Sequence, residues 1–249
     1  MKLTLIKYFY ATILLFLIST SIQAQTFGFG CLGLSGFYTG ISQEQYDAKG
    51  INDFLNYQLF TKSSISSSIP IKFEKGTGYR IGANFFRAKF DKIFITAKGY
   101  YQFLKEEHSV TELSGGSTII SKHNLSLNHW GVGVDFGVNL FWILDWKVLE
   151  GNVKFFSGDF TSEYSKDNVF LNDTKYNLDK TQIGYYVGSG LILHLVPDYI
   201  SIEGTAGFNF VKIESLKRID SLGNEMFINN AIPRGGFSAT IQLNVGFPL

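Results

Sequence analysis

The sequence predicts an all-β fold, a single antiparallel up-and-down barrel of about eight strands, on three observations. Apolar and polar residues alternate with period two through most of the chain. The alternating segments are joined by connections that are short and long in strict turn. The composition is rich in aromatics (16%) and Gly (26 residues) and poor in charge (17%) and Pro (4 residues), whereas soluble domains carry about a quarter charged residues. Lys and Arg number 22 and Asp and Glu 21, so no bulk field gathers nucleic acid. The single cysteine, Cys31, excludes an internal disulfide and any zinc site built from several cysteines.

Residues 1–24 have the zones of a cleaved secretory signal: Lys2 and Lys7, the apolar run Tyr8 to Ile18, and the small and polar tail Ser19 to Ala24. The apolar run is about half the ~20 residues that a spanning helix needs. Cleavage after Ala24 leaves Gln25 first and 20 basic against 21 acidic side chains. Residues 25–249 then form one domain. Its first strand lies in the Gly-rich stretch at roughly 26–40. The second alternates Tyr79, Ile81, Ala83 and Phe85 against Arg80, Gly82 and Asn84, and the third Ile93, Ile95, Ala97, Gly99 and Tyr101 against Thr96, Lys98, Tyr100 and Gln102. The fourth sets Trp130, Val132, Val134, Phe136 and Val138 against Gly131, Gly133, Asp135 and Gly137, and the fifth lies around Leu149, Val153 and Phe155. The sixth carries Ile183, Tyr185, Val187, Leu191 and Leu193, the seventh Ile200, Ile202, Ala206, Phe208 and Phe210. The last alternates Phe237, Ala239, Ile241, Leu243, Val245 and Phe247 against Ser238, Thr240, Gln242 and Asn244. Period two over these lengths is the strand repeat.

Short turns fall at Phe90–Lys92, Ile143–Asp145 and Val196–Asp198, and long polar links at about 41–78, 106–122, 160–177 and 214–233. With an even strand count, all short turns lie at one end and all long links at the other, as in a barrel that crosses an outer membrane. The polar faces carry Gly, Ser, Thr, Asn and Gln instead of the Lys and Glu of a wet surface, so they are expected to line a narrow lumen while the apolar faces meet lipid. Aromatics gather at strand ends. Tyr101 and Trp130 mark one expected girdle, and Trp142, Trp146 and Tyr199 the other. Twelve strand steps from Trp130 to Trp142 give about 30 Å of height after tilt, near the spacing of two interfaces.

On this pattern the chain resembles the outer-membrane β-barrel domain family, the small porin-like barrels that include the transmembrane domain of OmpA. The resemblance covers about Gln25 to Phe247 and implies outer-membrane localisation, contact with outer-membrane lipids and handling by the barrel-assembly machinery, with Phe247 in the strand that serves as assembly signal. It specifies fold far better than function. The role expected is structural, interaction or small-solute permeation. The alternatives are a soluble, periplasmic lipocalin-like binder and a lipid A-modifying enzyme.

The charges expected inside the lumen are Arg80, Lys98, Asp135, Glu150, Lys154 and Glu203. Register across the turns sets Lys98 opposite Asn84, Arg80 opposite Gln102, Asp135 opposite Lys154, Asn139 opposite Glu150, and Glu203 near Ile192 and His194. These charges are expected to neutralise one another and fill the interior, because about eight strands leave room only for side chains. Of the four histidines, His108 and His123 fall in links, and His129 and His194 on strands. None has Ser two residues on, the pair that lipid A deacylases of this fold carry, and no catalytic set, cofactor or metal site emerges. The first link, with Ser63 to Ser68, reads as a solvated loop.

Overall fold

The computed structural model describes residues 26–28, 35–62, 70–114, 116–197, 199–220 and 222–246. The expected signal segment, Cys31, the Ser63–Ser68 stretch and Phe247 lie outside them. Along the chain come β1 (Thr26–Gly28), β2 (Gly36–Asp47), α1 (Lys49–Lys62), β3 (Lys75–Phe90), β4 (Ile93–Gln102), β5 (Lys105–Ser114) and β6 (Ser117–Phe141). They are followed by β7 (Leu144–Lys166), β8 (Val169–Leu178), β9 (Gln182–Val196), β10 (Ile200–Phe210), β11 (Ile213–Ile219), β12 (Glu225–Ile232) and β13 (Arg234–Gly246).

Eight strands close a ring in which every neighbour is antiparallel: β2, β3, β4, β6, β7, β9, β10, β13 and back to β2. Seven of them fall on the alternating segments of the sequence, and the eighth, β2, begins ten residues into the expected first strand and runs seven residues past its end at 40, so the chain is an all-β up-and-down barrel. β1 pairs with the lower part of β3, beyond the reach of β2. Following paired residues once round, from Trp130 through Tyr101, Ile81, Thr39, Leu243, Ile202, Leu193 and Leu144, returns to β6 at Phe141, an offset of 11 residues. At ~3.4 Å per residue and ~4.8 Å between strands that offset is a tilt of about 44°, so each residue climbs about 2.4 Å along the barrel axis.

The short turns are where the sequence puts them, except that β6 and β7 meet at Trp142 and Ile143, between Phe141 and Leu144. The long links depart from expectation. β6 and β7 run for 25 and 23 residues, more than twice the roughly 10 that cross a bilayer. Paired with β5 and β8, and with the β11–β12 hairpin beside β8, they build an upper sheet in the order β5, β6, β7, β8, β11, β12. The first link is not a solvated loop throughout. Its described part holds α1, because Ile51, Phe54 and Leu55 recur at helical spacing and bury their face, with Ile51 and Leu55 fully covered. The start of α1 lies so close to β12 that a Cβ on Gly50 would stand 2.3 Å from the carbonyl oxygens of Asn229 and Asn230. Sheet and helix enclose an apolar core that includes Leu125, Leu127, Phe160, Tyr176, Leu216 and Ile228.

Candidate functional site

The wall of the barrel is inverted relative to a soluble protein. On β13, Ile241 is 59% and Leu243 43% exposed, while Thr240 and Gln242 are 3% and 4% exposed. The same holds on β6, where Val132 and Val134 are exposed and Asp135 is buried. An apolar face turned outward is stable only against hydrocarbon, and a closed ring leaves no unpaired backbone there. The strand tilt then locates the aromatics. Level with Trp130 the wall carries Tyr101 and Phe103, Tyr79, Phe237, Phe208 and Phe210, Tyr185 and Phe155, an arrangement that follows from the pairing registers. Several touch: Tyr101 packs on Trp130 at 4.8 Å between centroids and on Phe103 at 4.6 Å, and Phe103 stacks on Tyr79 at 4.5 Å. At that level β2 alone presents a polar residue, Gln43. Trp142, Trp146 and Tyr199 are exposed at the end with the short turns.

The lumen holds all six charges singled out in the sequence, each at most 5% exposed, and two that the sequence reading missed. Lys147 and Glu44 complete two clusters. In the lower cluster Lys98 Nζ lies 2.6 Å from Glu150 Oε1 and 3.0 Å from Asp135 Oδ1. Lys147 Nζ lies 2.9 Å from Asp135 Oδ2 and 3.4 Å from Glu150 Oε2, and also pairs with Glu203. In the upper cluster Lys154 Nζ is 2.6 Å from Glu44 Oε1, and Gln102 links Glu44 at 3.2 Å to Arg80 Nε at 2.8 Å. The Arg80 guanidinium lies 4.1 Å over the Tyr100 ring. That ring in turn occupies the space above Gly131, where a Cβ would come within 2.2 Å of it. The four formal positive charges (Arg80, Lys98, Lys147, Lys154) face four negative ones (Glu44, Asp135, Glu150, Glu203), and at the lower mouth buried Asp145 faces Arg87 at 3.6 Å, so the charges balance.

Three register assignments hold: Lys98 faces Asn84, Arg80 faces Gln102 and Glu203 faces Ile192. Two are corrected: Asp135 faces Glu150 and Asn139 faces Asp145, with Lys154 opposite Gly131. The turn is centred two residues earlier than the sequence reading placed it, which moves the partner of Asp135 by four residues and, past a register shift between Phe136 and Gly137, that of Asn139 by five. A register shift between Lys147 and Glu150 then lets both side chains point inward. His108 and His123 are not in loops; they pair with each other on β5 and β6. His129 is buried beside Phe156 in the upper lumen. At the lower mouth His194 Nε2 lies 2.9 Å from Asp145 Oδ2, and its cross-strand partner is Ser201, whose hydroxyl accepts a bond from Asn244 Nδ2 at 3.2 Å. His194, Ser201 and Asn244 border a cavity of about 40 Å³, room for a few waters.

Above the aromatic ring the wall is tied down by another buried carboxylate. Glu106 accepts hydrogen bonds from Tyr46 Oη at 2.6 Å and from the Lys75 amide at 3.0 Å, and lies 3.0 Å from His108 Nε2.

A closed ring with lipid-type residues outside, a neutral polar filling and a large folded crown defines a transmembrane β-barrel with an ordered upper region. No family model matches the sequence, and no curated protein matches it. Among solved structures the chain is similar to neisserial surface protein A, with TM-score 0.42 and 12% identity over 90% of this chain and 100% of that one. It is similar to Ail, the attachment invasion locus protein of Yersinia pestis, with TM-score 0.38 and 12% identity over 86% and 97%. A major outer membrane protein from Thermus thermophilus gives TM-score 0.46 and 12% identity over 86% and 100%.

Proposed function

We propose that the chain is an integral outer-membrane protein whose barrel is a sealed anchor for the upper region, with a structural or interaction role in place of solute permeation. The observation that carries this reading is the filling of the bore. Charged pairs occupy the lumen from Glu203 up to Glu44, and the apolar core that contains Leu127 and Phe160 lies directly above. A solute crossing the barrel would have to part both. The aromatic levels at Tyr101 and Trp130 and at Trp142, Trp146 and Tyr199 support two membrane interfaces about 29 Å apart at the tilt derived above. The short turns then face the periplasm and the crown faces outward. A lipocalin-like role is disfavoured because the lumen is lined by charge and amide groups and not by apolar side chains.

Liposome swelling tests the reading. Full-length protein refolded into vesicles is expected to admit a pentose no faster than protein-free vesicles. Swelling at the rate of an open porin would overturn the sealed-anchor role.

A further inference from the structure

We propose that a groove at the top of the β13–β2 seam binds the phosphorylated headgroup of an outer-leaflet lipid. The inference rests on the reading of the chain as an outer-membrane barrel. The seam opens where the register slips between Gly235 and Ser238, opposite Tyr46 and Glu44. The absence of side chains at Gly235 and Gly236, where a Cβ would meet Asn209 O at 2.3 Å and Gln45 at 3.0 Å, keeps the wall thin there. The groove that results has a volume of 540 Å³ and is bordered by Lys72, Lys75 and Arg234, with Phe208 among its lining residues.

Height decides what it meets. Gln45, Lys75 and Arg234 stand about two to four residues above the level of Trp130, so about 5–10 Å above the aromatic ring at the tilt derived above. Aromatic rings sit at the headgroup boundary, and the polar layer beyond is several ångströms deep. Lys75 and Arg234 therefore stand in the phosphate layer. Directly below, the aromatic ring is interrupted at Gln43, between Tyr79 and Phe237, and the wall continues down to exposed Ile41. A groove with three cations against the two carboxylates of Asp47 and Glu74, above a gap in the aromatic ring, matches a molecule with an anionic end and a chain that runs down the wall.

The charges suit a phosphate. Lys72 pairs with Glu74 at 2.5 Å and Arg234 with Asp47 at 3.2 Å, and the side chains of Lys72 and Arg234 are 72% and 79% exposed. Exposed pairs of this kind contribute little and can exchange a carboxylate for a dianionic headgroup, whose charge is about −1.5 to −2. Lys75 makes no ion pair among the described residues.

The test is native mass spectrometry of the full chain in detergent, titrated with short-chain phosphatidic acid, with phosphatidylcholine of the same chains, and with inorganic phosphate as competitor. Phosphatidic acid is expected to be retained at least tenfold more tightly than phosphatidylcholine. K75Q is expected to weaken it about fivefold, and K75Q with R234Q about 25-fold, from the ~1 kcal/mol that a cation near a lipid surface contributes. Equal retention of the two lipids, an unchanged affinity in the double variant, or full displacement by millimolar phosphate would each overturn the site. Gel mobility with and without boiling, run on the same samples, separates the failures. A heat-dependent shift with no lipid preference sinks the groove alone. No shift in the unsubstituted protein sinks the membrane reading beneath it. A double variant that keeps the shift shows that lost binding is not lost folding.

Discussion

Strands β6 and β7 pass through two halves of the molecule, and each half is built on the opposite pattern. Below Trp130, β6 turns Val132, Val134 and Phe136 outward and Gly131, Gly133 and Asp135 inward; above it, Asn128, Ser126, Asn124 and Lys122 face outward and Leu127 and Leu125 inward. On β7 the inward residues change from Glu150, Asn152 and Lys154 to Phe156 and Phe160 across the same level. Across that level the period of two is unbroken on both strands; its phase inverts. A strand places alternate side chains on opposite faces whatever surrounds it, so the solvent outside decides which face is apolar. Where the surroundings change from hydrocarbon to water, the lumen changes from charged to apolar. The inversion level coincides with the aromatic ring that includes Trp130, Tyr101 and Tyr79.

The two interiors should therefore fail in different ways. The largest effect is expected from Lys147→Met. Lys147 pairs with Asp135, Glu150 and Glu203, and its loss leaves Asp135 and Glu150 to share Lys98 and takes from Glu203 its ion-pair partner. Removing one partner from a buried charge network costs about 3–5 kcal/mol. Urea unfolding from lipid vesicles should show that loss, with the heat-dependent gel shift weakened or gone. An unfolding midpoint within error of the parent would show that water reaches the cluster. Phe160→Ala removes a fully buried ring from the upper core, at about 3–5 kcal/mol. Here limited proteolysis should cut α1 and the upper hairpins while the barrel keeps its gel shift. Loss of both together would mean that the halves fold as one unit.

Much of the barrel was legible because each lower strand has one face on lipid and a short turn at one end. Counting about Asp91 gives Arg80–Gln102 and Lys98–Asn84, and these pairs hold because a register shift between Asn84 and Phe86 offsets the Phe90–Ile93 pairing set by the two-residue turn. The count failed at Trp142 and Ile143, where nothing in the sequence marks which two of several residues form the turn. Lys147 was hidden by the register shift that turns it inward, and Glu44 by its place in a segment assigned to a link, although it continues the alternation of β2. The upper region was missed for a physical reason. Leu125 and Leu127 alternate with Asn124, Ser126 and Asn128 as cleanly as any barrel strand, but in the opposite phase, so the polar outer face resembled a solvated connection. α1 hides its apolar face among Asn and Gly residues, which weakens the helical signal.

The phase inversion can be probed on one face of one strand. Val134 and Ser126 both face outward on β6, eight residues apart and on either side of Trp130. Val134→Lys is expected to cost about 2–4 kcal/mol, the cost of a lysine near the bilayer midplane. Ser126→Lys, above the interface, is expected to fall within about 0.5 kcal/mol of the parent. Equal costs at both sites, read from unfolding midpoints, would move the membrane boundary away from Trp130.

The effect with the narrowest reach is a pH dependence confined to the upper region. His123 stands seven residues above Trp130, about 17 Å at the barrel tilt, with its ring parallel to that of Phe160 at 6.5 Å and its Nδ1 2.9 Å from Ser162 Oγ. Burial lowers its pKa to about 4, whereas the unfolded chain titrates near about 6.5. Between those values the unfolded state binds the extra proton, so stability rises with pH. The full contribution is present above about pH 6.5 and is lost as pH falls toward about 4, a change of about 3 kcal/mol. Proteolysis of the upper hairpins should quicken over that range while the barrel remains resistant. His123→Gln keeps a side chain that can hydrogen-bond Ser162 and removes the titration, so its cleavage rate should be flat between pH 7 and 4.5. An equal acceleration in that variant would assign the acid sensitivity to another group.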